Sequence, residues 1–121
     1  YSLEVNDVIT YGASAMDPWR YADILKRHFD QLLEEGAASG TVMCIPLHAY
    51  LVSQPHRIRP FEAALKHIVS HADDVWFATA AEIAGFFRET CWDQTVADIA
   101  RRGLATGGAG FTPAGGAGAA S

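Results

Sequence analysis

The sequence predicts an α/β protein with parallel strands, and three observations carry that prediction. Six apolar residues, Val42 to Leu47, run without a break into His48. Between Gly40 and a proline-containing loop, such a run reads as a strand buried on both faces. A shorter run of the same kind, Val75-Trp76-Phe77-Ala78-Thr79, comes later. Helix-period stripes precede, separate and follow the two. The order helix, strand, helix, strand, helix over residues 17–90 implies right-handed crossovers onto a parallel sheet.

With 121 residues the chain is at most one ordinary domain, and a composition 50% hydrophobic and 19% charged can supply a core. A net charge of −5 argues against nucleic acid as the main partner. No apolar run approaches the roughly 20 residues of a membrane span, so no membrane partner is expected. Two cysteines make no disulfide framework, and Cys44 reads as a small core residue. Nothing resembles a signal peptide, and the compartment expected is the cytoplasm. The chain opens at Tyr1 inside an apolar segment, which reads as a fragment whose remaining strands lie upstream.

The elements follow in order. Residues 1–11 are rich in β-formers, interrupted by Asn6-Asp7, and read as a strand leading to a loop. Asn6 and Asp7 either face a substrate or orient His48, or they build a turn with side-chain hydrogen bonds. Asp17 is a good N-cap and Pro18 suits the first helical position. Trp19, Ala22, Leu25, Phe29, Leu32 and Leu33 then share one face, with Gly36 as the C-cap. His28 beside that stripe reads as structural or solvated. After His48, a loop of about ten residues extends to Arg59, longer than usual, offering Tyr50 and His56 as polar aromatics.

A second helix starts near Pro60 and carries Phe61, Ala64, Leu65, Ile68 and Val69. His67 and His71 have the spacing of a helical metal pair, but no third ligand is evident in the sequence. They read as exposed, helix-terminal histidines. Thr79 to Glu82 fits a capping box, and Ile83, Phe86 and Phe87 form the inner side of the third helix. The domain therefore spans 1–92. Residues 93–121 are expected to form a short helix and then a disordered Gly/Ala-rich tail.

His48 itself has two readings. A histidine at the carboxyl end of a parallel strand stands where α/β proteins place their chemistry. The alternative is a histidine that merely hydrogen-bonds in a loop.

Three stretches, YSLEVND (1–7), IPLHAYLVSQPHRIRPFEAALKHI (45–68) and VWFATAAEIAGFF (75–87), together resemble the carboxyl-terminal part of the polysaccharide deacetylase family. This is the NodB-homology family, carbohydrate esterase family four, and the likeness is to its allantoinase-like and peptidoglycan-deacetylase-like branch. The resemblance implies the carboxyl-terminal portion of a distorted (β/α) barrel. It implies hydrolysis of N-acetyl amides on sugars or of other non-peptide carbon–nitrogen bonds. In the family's Leu-x-Leu-His motif, here Ile45-Pro46-Leu47-His48, the leucine lines the acyl pocket and the histidine is the general acid. Carried over, His48 is the acid and Leu47 a pocket wall, with Tyr50, Asn6 and Asp7 as further substrate-binding candidates.

The resemblance also implies a divalent metal, zinc foremost, held by Asp-Asp and His-x-x-x-His motifs. Neither stands at its place in this chain: Asp73-Asp74 fits a turn, and His67 and His71 come after the acid motif. The expected partner is a carbohydrate or a small amide, and a bare sheet edge in a truncated barrel would invite self-association. The chain alone is expected to be inactive. The competing reading is a catalytically inactive module binding a glycan or a protein through Trp19, Trp92 and Tyr50.

Overall fold

A computed structural model describes residues 3–102 of the chain. Among these residues there is no strand, and the expected parallel sheet and barrel portion are absent. The chain divides into two units, Tyr1–Phe77 and Ala78–Ser121. Five α-helices are described: α1 (Pro18–Ser39), α2 (Ala49–Val52), α3 (Pro55–Val69), α4 (Ala80–Thr90) and α5 (Trp92–Arg101). None is long and apolar enough to cross a membrane.

The segment expected as a first strand is instead a 3-10 turn, Leu3–Val5, and a π-helix, Val8–Ala13. Its β-forming residues serve burial, since Val5, Thr10 and Tyr11 all face inward. The Thr10 hydroxyl donates to the Asn6 carbonyl at 3.0 Å, a local bond that competes with any strand ladder.

α1 starts as the sequence predicts. Oδ1 of Asp17 accepts from the amides of Trp19 (2.9 Å) and Arg20 (3.1 Å), and Pro18 is the first helical residue. The helix runs past Gly36 and stops at Gly40, whose φ of 59° is left-handed. Its buried face is Tyr21, Ala22, Leu25 and Phe29, whereas Trp19 is exposed.

Residues 41–48 belong to no helix or strand, and His48 at their end has an extended backbone. Met43 and Ile45 pack against the core while Val42, Cys44 and Leu47 are exposed. One face is covered, not two, and Cys44 is on the outer one. Burial along this segment thus alternates with a period of two. The Thr41 hydroxyl ties the start of the segment to the Leu32 carbonyl at 2.8 Å. Residues 76–79 are likewise outside regular structure, with Trp76 and Phe77 exposed. A buried parallel strand needs neighbours on both edges, and none is present among the described residues.

The expected loop after His48 contains α2 and the start of α3. Pro55 opens α3, and Pro60 is buried inside it. Phe61, Ala64 and Ile68 form its inner stripe, with Leu65 and Val69 outside. The core of the first unit is Val5, Tyr11, Tyr21, Ala22, Leu25, Val52, Phe61 and Ala64.

In the second unit the capping box forms as read: the Glu82 amide donates to Oγ1 of Thr79 (3.3 Å) and the Thr79 amide to Oε2 of Glu82 (2.7 Å). α4 and α5 meet through an edge-on contact of Phe87 and Trp92, centroids 6.3 Å apart, and neither helix buries a residue fully. Phe86 and Phe87 are thus exposed rather than inward. The tail expected to be disordered lies, from residue 103, outside the described residues.

Candidate functional site

Asp7 and His48, 41 positions apart, are brought together. The turn that carries Asp7 is fixed from below: Tyr21, on α1, donates its hydroxyl to the Val5 carbonyl at 2.8 Å. Tyr11 packs edge-on against Tyr21 at 5.1 Å, and the Arg57 guanidinium lies 4.4 Å over the Tyr11 ring. Arg57 also donates to the Leu51 carbonyl at 3.2 Å. This staples the N-terminal turn to α2 and α3, and His48 is the residue just before α2.

Asp7 is 0% exposed. Its Oδ2 accepts from the His48 backbone amide at 2.7 Å, and its Oδ1 lies 2.7 Å from His48 Nδ1. An ionised carboxylate can only accept, so Nδ1 carries the proton and donates. Both oxygens of one buried side chain thus fix the backbone and the ring of one histidine. Nε2 is left for other partners, on a side chain 41% exposed. Nearby charge follows the same logic. Burial, foremost, pushes the Tyr11 phenol up to about 12; Arg57 opposes this and Asp7 adds to it. Burial and then the Asp7 charge raise Tyr21 as well. Both phenols stay protonated across the ordinary pH range.

The other candidates fall around this pair in different ways. Asn6 is buried, and its Oδ1 accepts from the Val8 amide at 3.0 Å, the side-chain turn bond weighed for it above. Tyr50 is 67% exposed, with its ring edge-on to His48 at 5.8 Å. Leu47 is exposed beside His48. A recess of about 410 Å³, bordered by Tyr11, Met16, His56 and Arg57, contains none of these candidates.

The metal implied by the resemblance does not fit at His48. Among the described residues, the cluster with three suitable donors is Asp30, His67 and His71, which includes neither Asp7 nor His48. Asp30 was missed in the sequence, where only the two histidines carry a visible spacing. Comparison with family models, with curated proteins and with solved structures finds no match to the chain.

Proposed function

We propose that this chain supplies a proton-transferring histidine for hydrolysis of a non-peptide carbon–nitrogen bond, in an N-acetylated sugar or a related small amide. The grip of both Asp7 oxygens on His48 carries the reading. Cleaving an amide requires a proton on the leaving nitrogen as the tetrahedral intermediate collapses. An imidazole whose Nδ1–H is held by a carboxylate has a fixed tautomer and a fixed ring plane. Its Nε2 is left to take up a proton and pass it on. The substrate class rests on the resemblance of residues 45–68 alone.

The test is imidazole NMR of the full chain, labelled with ¹⁵N at histidine, during addition of chitooligosaccharide and, separately, of allantoin. His48 Nε2 is expected to shift with one of the two, and Asp7→Asn to weaken that shift. A His48 signal unmoved by either compound overturns the reading. Amine release with added Zn²⁺ is measured alongside, and turnover that survives His48→Ala is equally fatal to it. A second reading, binding without chemistry, draws on the exposed Trp19 and Tyr50. Glycan-dependent quenching that is lost in Trp19→Phe, with His48 silent, is its signature.

A further inference from the structure

A second group of chemistry-bearing side chains sits between α1 and α3 and shares no residue with the Asp7–His48 pair. His67 and His71 are one turn apart, their rings 5.4 Å from centroid to centroid. Asp30 reaches them from α1, with Oδ1 at 2.5 Å from His67 Nε2. One donor atom of each of the three lies within 4.8 Å of the others. Phe29, buried, lies under both imidazoles at 5.9 and 5.6 Å and limits how their rings can turn. The Asp74 carboxylate stands 3.6 Å from His71 Nδ1.

We propose that Asp30, His67 and His71 form a binding site for a divalent transition ion of the zinc type. An Asp–His ion pair needs one imidazole, and here there are two. Two nitrogens and one carboxylate oxygen are a donor set for zinc, copper or nickel, and a poor one for magnesium or calcium, which take oxygens. Three protein ligands leave a fourth position for water in a tetrahedral site. Asp30 and both histidines are partly exposed, with Asp30 on α1, His67 on α3 and His71 in the turn just beyond α3. Bound metal would cross-link the two helices that carry the core.

The test is calorimetric titration of the full chain with Zn²⁺ alone, followed by Co²⁺ absorption spectroscopy. One equivalent is expected to bind, with tetrahedral d–d bands and no thiolate-to-cobalt charge transfer, which excludes Cys44 and Cys91. His71→Ala and the conservative, fold-sparing Asp30→Asn should each weaken Zn²⁺ binding by at least about tenfold. His56→Ala should leave it unchanged, and circular dichroism confirms that each variant is folded. Failure to take up one equivalent at millimolar Zn²⁺, or uptake indifferent to Asp30→Asn and His71→Ala, overturns the proposal. Neither result bears on the Asp7–His48 reading.

Discussion

The two units of this chain are made of similar helices, yet among the described residues only the first closes a core. In the 1–77 unit, Tyr21, Leu25, Val5 and Asp7 are sealed from solvent. In the 78–121 unit, α4 and α5 have capped or amphipathic sequences, but their large apolar residues remain partly or largely exposed. The difference is one of partners. α1 shares its buried cluster with a second long helix, Tyr21, Ala22 and Leu25 with Phe61 and Ala64, and receives the N-terminal turn through the hydroxyl of Tyr21. Among the described residues α4 meets a ten-residue helix, with Phe87 edge-on to Trp92. Capping decides where a helix begins, while burial depends on what faces it.

The largest expected effect breaks the core of the first unit. Leu25→Ala should cost about 2–5 kcal/mol, the range for a leucine truncated where neighbours cannot collapse into the space. Phe87→Ala, although it deletes a larger side chain, should cost about 1 kcal/mol or less, because that ring is 40% exposed. Urea unfolding of both variants measures the contrast directly. Equal losses would mean that the second unit has a core after all.

A middle-sized effect sharpens the comparison through pH. In an unfolded chain Tyr11 and Tyr21 lose their protons near pH 10, whereas in the fold burial holds both protons to higher pH. The folded state therefore binds more protons in that window. The stability it gains is complete below pH 10 and is lost as pH rises from 10 towards about 12, the folded value for Tyr11. Unfolding free energy against pH should fall there, and Tyr21→Phe should flatten the fall. That variant also leaves the Val5 carbonyl without its donor, a loss of about 1–3 kcal/mol at neutral pH. A flat alkaline profile in the unmodified chain would remove the tyrosines from the core's account.

Local chemistry was legible in the sequence and spatial pairing was not. Asp17-Pro18 and Thr79 with Glu82 start helices where read, because a cap is decided within four residues. The sequence points to Gly36 as the end of α1, yet the helix runs on to Gly40. A helix interior tolerates a glycine at a cost of about 1 kcal/mol, so the chain continues to the position that turns left-handed. The run from Val42 to Leu47 misled most. Its composition is that of a buried strand, but a sheet needs neighbours, and of its residues Met43 and Ile45 pack against the core while Val42, Cys44 and Leu47 stay exposed. His48 was singled out by its position and Asp7 by its type. That Asp7 holds His48 with both oxygens depends on the Tyr21–Val5 and Arg57–Tyr11 contacts, which no spacing announces. Asp30 escaped notice for the same reason: its partners lie on another helix.

The smallest effect tests whether the second unit is indeed held by its caps. Thr79→Ala removes the hydroxyl that accepts from the Glu82 amide and should cost about 1 kcal/mol, confined to the first turn of α4. Hydrogen exchange should quicken at the amides of Ala81 and Glu82 and stay unchanged across α1 and α3. Acid should act in the same place. The Glu82 carboxyl is held below its ordinary range by the Thr79 amide first and its hydroxyl second. Its contribution is therefore present above the ordinary carboxylate pKa and lost as pH falls through the lower folded value. In the unmodified chain the start of α4 should fray with acid while α1 does not, and in Thr79→Ala that acid sensitivity should shrink, since the hydroxyl half of the reciprocal pair is gone. If α1 amides quickened as well, the two units would share one cooperative transition. The exposed apolar residues of α4 and α5 would then have to be counted with the core that Leu25 and Tyr21 close.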